Sequence, residues 1–322
     1  MTEDTRDPSS MHTPVLLERC VELLAPALDR PDAVVVDATL GMGGHSERLL
    51  ETFPDVTLIG LDRDPEALKL AGRRLSRFGE RAVLVHAVYD EIAEVVEDRG
   101  FPGVDGVLFD LGVSSLQLDE AERGFAYAQD APLDMRMDQS AGETAASVIA
   151  TAPEGRLRAI FERFGEEPLA GRYARAIIAA REQEPIERSG QLVEVLQQAT
   201  PAAVRDQRHP AKRVFQALRV EVNAELTVLE RAIPAALGAI RTGGRLVAMS
   251  YQSLEDRIVK RALAARSRST APAGLPVELP EHRPEFRLLT RGAEQASETE
   301  RETNPRAIPV RLRAAERIRE TS

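Results

Sequence analysis

Three stretches of this chain combine residue types and spacing that could do chemistry. Gly41-Met-Gly-Gly-His45 directly follows the apolar run Ala33-Val-Val-Val-Asp37, and Asp62 closes the next apolar run, 21 residues after Gly41. A strand, a glycine-rich turn, a helix and then an acid about 20 residues on is how an α/β fold holds an adenosine-containing ligand. Gly41, Gly43 and Gly44 let the backbone turn tightly and approach a ligand with no Cβ in the way, and the Asp62 carboxylate can accept hydrogen bonds from ribose hydroxyls. The plainer alternative is a βα turn that merely happens to be rich in glycine. Asp110 ends a further apolar run, Asp105-Gly-Val-Leu-Phe-Asp110, and is followed by Leu111-Gly-Val-Ser-Ser115. That position opens onto the ligand crevice of a doubly wound sheet, although an acid in a surface loop would look the same. Ser250-Tyr-Gln-Ser-Leu-Glu-Asp-Arg257 follows the run Thr242–Met249 and would open on the same side. Alternatively, Ser253 and Asp256 simply start a helix. Cys20 is the single cysteine, and the five histidines (His12, His45, His86, His209, His282) include no close pair. Intrachain disulfides and cysteine metal clusters are therefore excluded, and no zinc site is expected.

The elements that must position these residues read as an α/β alternation. A helix is expected over His12–Leu28, with strands at Ala33–Asp37, Thr57–Asp62, Ala82–His86 and Asp105–Asp110. Helices are expected from about Ser46 and over Pro65–Phe78, the latter with proline in its first turn. Continuous apolar runs separated by helices indicate a parallel sheet covered on both faces. After Asp110 the alternation stops. Residues 111–139 are irregular, and 143–200 show helical spacing of Leu157, Ile160, Phe161, Phe164, Ile177, Leu192 and Leu196. One long helix is expected over Val214–Leu237, then the returning strand Thr242–Met249, and loop over 267–304. The expected organisation is a tail at 1–11, a discontinuous sheet domain of 12–118 and 209–322, and an inserted helical domain at 119–208.

With 322 residues, 43% hydrophobic and 29% charged, the chain can bury a substantial core. No uncharged apolar run approaches the roughly 18 residues of a membrane span, and Met1–Pro14 is polar and acidic, unlike a secretory signal. A reducing cytoplasm is the expected compartment, with no membrane and no metal. The net charge of −10 is unevenly spread: residues 1–204 carry 37 acidic and 20 basic side chains, residues 205–322 carry 15 and 22. A basic final third on an acidic protein is the asymmetry of a polyanion-binding face. Nearly all the basic residues are arginine, however, with only Lys69, Lys212 and Lys260 as lysine, so a general compositional bias accounts for part of it.

The spacing Asp37-x-x-x-Gly41-x-Gly43 resembles the nucleoside end of an S-adenosylmethionine (SAM) methyltransferase. A dinucleotide fingerprint requires glycine where Ser46 stands, which disfavours a nicotinamide oxidoreductase. The resemblance becomes specific over a series of motifs in one order: His12-x-Pro-Val-Leu-Leu17, Asp37-Ala-Thr-Leu-Gly-Met-Gly-Gly-His-Ser46, Leu61-Asp-Arg-Asp-Pro65, Asp110-Leu-Gly-Val-Ser-Ser115 with Gln117-Leu-Asp119, Arg123-Gly-Phe125 and Pro132-Leu-Asp-Met-Arg-Met-Asp138. Phe164-Gly-Glu-Glu167, His209-Pro-Ala211, Phe215-Gln-Ala-Leu-Arg219, Asn223-x-Glu225, Ser253-Leu-Glu-Asp-Arg257 and Asn304-Pro-Arg306 continue it. Over residues 12 to about 317 the chain resembles the ribosomal RNA small subunit methyltransferase H (MraW) family. The resemblance implies a class I SAM-dependent methyltransferase fold, a Rossmann-like doubly wound sheet with an inserted α-helical domain. It implies methylation of N4 of cytidine 1402 in the decoding region of 16S rRNA, with SAM as cofactor and 16S rRNA of the small ribosomal subunit as partner. By motif, Gly43, Gly44 and His45 would lie along the methionine part of SAM, Asp62 would take the ribose and Tyr89 would cover the adenine. Asp110 and Gln117 would complete the pocket, with Asp110 as the catalytic residue. Unaided by the resemblance, His45 reads as a helix-start residue and Tyr89 as a core tyrosine. The chain departs from the family at Tyr251-Gln252, where Phe-His is usual, so histidine catalysis at that place is excluded. It also departs at Ala307-Ile-Pro-Val310 and at Lys212. Amino-methyltransferases of nucleic acid often carry an Asp/Asn-Pro-Pro-aromatic motif at this place; Asp110-Leu-Gly-Val keeps the acid and lacks the stacking aromatic, for which Phe125, Tyr127 and Tyr251 are the candidates. A non-catalytic RNA-binding protein on the same fold, or a methyltransferase acting on DNA or a small molecule, are the rival readings.

Overall fold

The computed structural model describes residues 14–205, 209–272 and 279–320. The expected tail, residues 1–11, and His12 lie outside the described residues. In chain order the helices are α1 (Leu17–Leu28), α2 (Gly44–Thr52), α3 (Pro65–Leu75), α4 (Ile92–Asp98), α5 (Ser115–Asp119), α6 (Ala145–Thr151), α7 (Glu154–Gly165), α8 (Ala170–Arg181), α9 (Ser189–Ala199), α10 (Ala202–Arg205), α11 (Ala211–Val222), α12 (Glu225–Ala239), α13 (Ser253–Arg266) and α14 (Glu298–Thr303). The strands are β1 (Val34–Asp37), β2 (Thr57–Asp62), β3 (Ala82–His86), β4 (Val104–Asp110), β5 (Ile240–Ser250), β6 (Phe286–Leu288) and β7 (Arg311–Arg317).

The chain divides into two compact units, Met1–Gly112 with Leu226–Ser322, and Val113–Glu225. In the first, seven strands form one sheet in the order β3-β2-β1-β4-β5-β7-β6. Neighbours from β3 to β5 are parallel, while β7 runs antiparallel to both β5 and β6. This is the class I methyltransferase arrangement of a Rossmann-like sheet. Strand order reverses between β1 and β4, so a crevice opens at their carboxyl ends. Both faces are buried, which explains the continuous apolar runs. Val35, Leu58, Leu108 and Val247 pack with Leu24 and Leu28 of α1 and Leu49 and Leu50 of α2. Val34, Val36, Val107 and Phe109 pack on the opposite face with Ile92 of α4, Leu229 and Ile233 of α12 and Val259 of α13. Each such fully buried Val or Leu contributes roughly 1.5–3 kcal/mol.

The second unit is helical and has its own core, including Leu157, Phe161, Tyr173, Ile177, Leu192, Phe215 and Leu218. It is wider than the span 119–208 expected from sequence, because α11 packs along α7 and shares that core. The single helix expected over Val214–Leu237 is two helices, broken where Ala224 takes a left-handed conformation (φ 49°). The loop expected over 267–304 contains β6, anchored by the buried Phe286, and α14.

Candidate active site

Parallel pairing brings the carboxyl ends of β1, β2, β4 and β5 to one edge of the sheet, and with them Asp37, Asp62, Asp110 and Ser250. The glycine-rich turn is held there from several sides. The Gly43 N–H donates to the Leu40 carbonyl (2.8 Å), and Arg74 of α3 donates to the Met42 carbonyl (3.2 Å). Gly43 has φ 78°, which favours glycine, and a Cβ on Gly44 would lie 2.6 Å from Cγ of Pro14. The missing side chain of Gly44 thus makes room for the chain's own proline. This is a packing role that the sequence reading did not foresee.

Asp62 accepts the N–H of Gly41 on Oδ2 (2.7 Å) and that of Asp64 on Oδ1 (2.8 Å). Burial pushes its carboxyl up to about 6 against the pull of these two amides. A carboxylate offers about four acceptor sites, so Asp62 both ties down the turn and keeps capacity for further donors. Asp37 is buried, accepts the Ser46 hydroxyl (2.7 Å) and the Thr39 N–H (3.3 Å), and is likewise raised by burial. The serine that breaks the dinucleotide fingerprint is therefore the partner of a buried carboxyl.

Asp110 is fixed from two sides through its backbone. Its N–H donates to Thr39 Oγ1 (2.6 Å), and the following N–H, of Leu111, donates to the Met249 carbonyl (3.0 Å). Its side chain, 27% exposed, accepts the Tyr251 hydroxyl on Oδ1 (2.7 Å), while Oδ2 lies 3.7 Å from Nδ1 of His45. Burial raises the Asp110 carboxyl above the ordinary carboxylate value, opposed by His45 and by the Tyr251 hydrogen bond. His45 is the second residue of α2, as its helix-start reading expects, and its Nε2 is 3.0 Å from the Val15 carbonyl. A carbonyl can only accept, so Nε2 donates and Nδ1 is the atom facing Asp110. Near the same strand ends, Ser250 Oγ and Gln252 Oε1 are buried and have no hydrogen-bond partner among the described residues.

Tyr89 stands on a 3₁₀ turn after β3, half-buried and edge-on to Phe109, with ring centroids 5.8 Å apart. Gln117 belongs to the helical unit, where it closes a capping box with Ser114. Gln117 Oε1 accepts the Ser114 N–H (3.0 Å), and the Gln117 N–H donates to Ser114 Oγ (3.3 Å). Of the stacking candidates, Phe125 is buried in that unit and Tyr127 stacks on His209 with centroids 4.5 Å apart. Tyr251 donates its hydroxyl to Asp110 within the sheet unit. Sequence reasoning listed Tyr251 only as a stacking ring and missed Thr39 altogether. The hydroxyls of both were visible in the sequence, but nothing there placed them on an acid 71 or 141 positions away. Among the described residues no group of three or more His, Cys, Asp or Glu could hold a metal ion, and no helix is long and apolar enough to cross a membrane.

Comparison with known proteins matches residues 9–318 to the model of the MraW methylase family. The chain is 68% identical over 309 residues, 96% of its length and 95% of the relative's, to "Ribosomal RNA small subunit methyltransferase H" of Leifsonia xyli subsp. xyli. The protein of that name from Clavibacter michiganensis subsp. michiganensis is 66% identical over 96% of this chain and 97% of its own. The one from Saccharopolyspora erythraea is 62% identical over 96% and 94%. A methyltransferase sheet with an acid at the end of each of three adjacent strands, matched by the family model over nearly its whole length, places the chain in the MraW methylase family.

Proposed function

We propose that this protein transfers a methyl group from SAM to N4 of a cytidine, position 1402, in the decoding region of 16S rRNA, and acts in the cytoplasm. The observation that carries the reading is Asp110, held by backbone and side chain at the carboxyl end of β4, beside the strand-order reversal. The residues at this edge fit SAM. Asp37, Asp62 and Asp110 form a carboxylate-lined edge that suits hydroxyl donors and a sulfonium cation and would repel a pyrophosphate. Asp62 retains acceptor capacity for ribose, and Ser250 Oγ and Gln252 Oε1 are buried polar atoms still to be satisfied. Gly43, Gly44 and His45 would flank the methionine part, with Tyr89 and Gln117 as the remaining family positions. When bound, SAM supplies an already activated methyl group.

What the chain must add is alignment, because the cytosine N4 lone pair is delocalised into the ring and is a poor nucleophile. Asp110 accepts a hydrogen bond from the N4 amino group, turns its lone pair toward the methyl and stabilises the positive charge that develops on nitrogen. The target base must leave its stack to reach such an acid. Relatives named for the small-subunit rRNA support the substrate, as does the basic final third of the chain. The test is transfer of labelled methyl from SAM to small ribosomal subunits, naked rRNA and DNA, with the modified nucleotide mapped by mass. Asp110→Ala is expected to lower turnover at least about a hundredfold while SAM still binds. Near-normal turnover would remove Asp110 from the reaction, and labelling of DNA alone would overturn the substrate.

A further inference from the structure

We propose that the Tyr251 hydroxyl is a positioning group for Asp110: it occupies Oδ1 and so leaves Oδ2 as the oxygen that meets the target amine. The proposal rests on the reading of Asp110 given above. A carboxylate at the end of a strand can rotate about two side-chain bonds. The backbone of Asp110 is pinned by Thr39 and Met249, but those bonds do not set the plane of the carboxylate. Tyr251 does, by donating to Oδ1 at 2.7 Å. His45 Nδ1, at 3.7 Å from Oδ2, is too far to occupy that oxygen with a hydrogen bond.

Tyr251 is itself held. Its backbone N–H donates to Oε2 of the buried Glu255 in the first turn of α13 (2.9 Å), and the Gln252 N–H donates to the same oxygen (3.0 Å). The ring packs against the apolar core on the α1 face of the sheet. The hydroxyl is thus delivered by a fixed backbone and a ring whose orientation is limited. Burial and the adjacent Asp110 raise the phenol well above its ordinary value, so it remains a donor throughout the neutral range. The charged and titratable groups facing this pair are Asp37 at the end of β1, His45 on α2, Cys20 on α1 and Glu255 on α13.

The test is Tyr251→Phe, assayed with labelled SAM and small ribosomal subunits across pH. The expected result is a kcat lowered roughly tenfold with little change in KM. The acidic limb of the kcat profile should move to higher pH, because the hydrogen bond that favours the ionised acid is gone. Unchanged kcat and an unmoved acidic limb would overturn the proposal. The same substitution in an Asp110→Asn background should add no further loss; an equal loss in both backgrounds would show that the hydroxyl acts elsewhere and would equally overturn it. Asp110→Ala alone separates the two levels. If that variant turns over normally, the reading of Asp110 falls; if it is inactive while Tyr251→Phe is unaffected, only the role of Tyr251 falls.

Discussion

At the scale of single residues, the site is a set of carboxyls whose protons are held tighter than usual by burial, each offset by a few donors. Asp62 has the sharpest consequence. Its carboxyl is raised to about 6 in the folded chain against an unfolded value near 3.8. The folded state therefore binds the extra proton between those values, and stability falls as pH rises through the window from about 4 to about 6. A ribose donating hydroxyls to Asp62 favours the ionised form, so SAM affinity should weaken below about pH 6, by up to about tenfold per unit. Calorimetric titration of SAM from pH 5 to 8 checks this. Asp62→Asn should bind SAM more weakly at pH 8 and lose most of the pH dependence; an affinity unchanged by the substitution would remove Asp62 from the ribose. The identities of Asp62 and Asp110 were readable as acids ending apolar runs. The hydroxyls of Tyr251 and Thr39 were not readable as partners, since a contact across 141 or 71 positions leaves no mark in local spacing.

At the scale of elements, the buried parallel strands were legible, while the short antiparallel edge strands and the helix breaks were not. Buried parallel strands announce themselves as apolar runs, and Thr57–Asp62 and Ala82–His86 fall where the runs do. The break between α11 and α12 is silent because apolar spacing continues through it. It is made by Asn223, whose Nδ2 donates to the carbonyls of Met135 (2.8 Å) and Arg219 (2.9 Å) and whose Oδ1 accepts the Met137 N–H (2.8 Å). Arg219 and Glu225 close the corner with two further bonds, at 2.8 and 3.0 Å. One asparagine thereby pins the irregular 132–138 stretch, with Met135 at φ 63°, to the end of α11. Asn223→Ala leaves the buried Met137 N–H unpartnered and should lower stability by about 2–3 kcal/mol. Denaturant unfolding measures this; a loss below about 0.5 kcal/mol would show that the corner does not depend on the asparagine.

At the scale of the molecule, a −10 chain carries its basic excess after residue 204. If rRNA phosphates are gripped by that excess, affinity must fall with salt as counterions are released. Raising salt from 50 to 200 mM should weaken binding to small-subunit rRNA by at least about tenfold. A binding curve indifferent to salt would place recognition in shape and base contacts instead. Each of the two compact units has its own apolar core.

Local pattern was enough for the α/β class, the order of its parallel strands along the chain, the acids that end them and the family, because periodicity, turn glycines and motif order are properties of neighbouring residues. Strand order within the sheet, the two antiparallel strands at its edge, the corner at Asn223 and the hydrogen bond from Tyr251 to Asp110 came only with the folded chain. Each of these joins residues far apart along the backbone, and what joins them is packing and hydrogen-bond geometry that exists only once the elements have met.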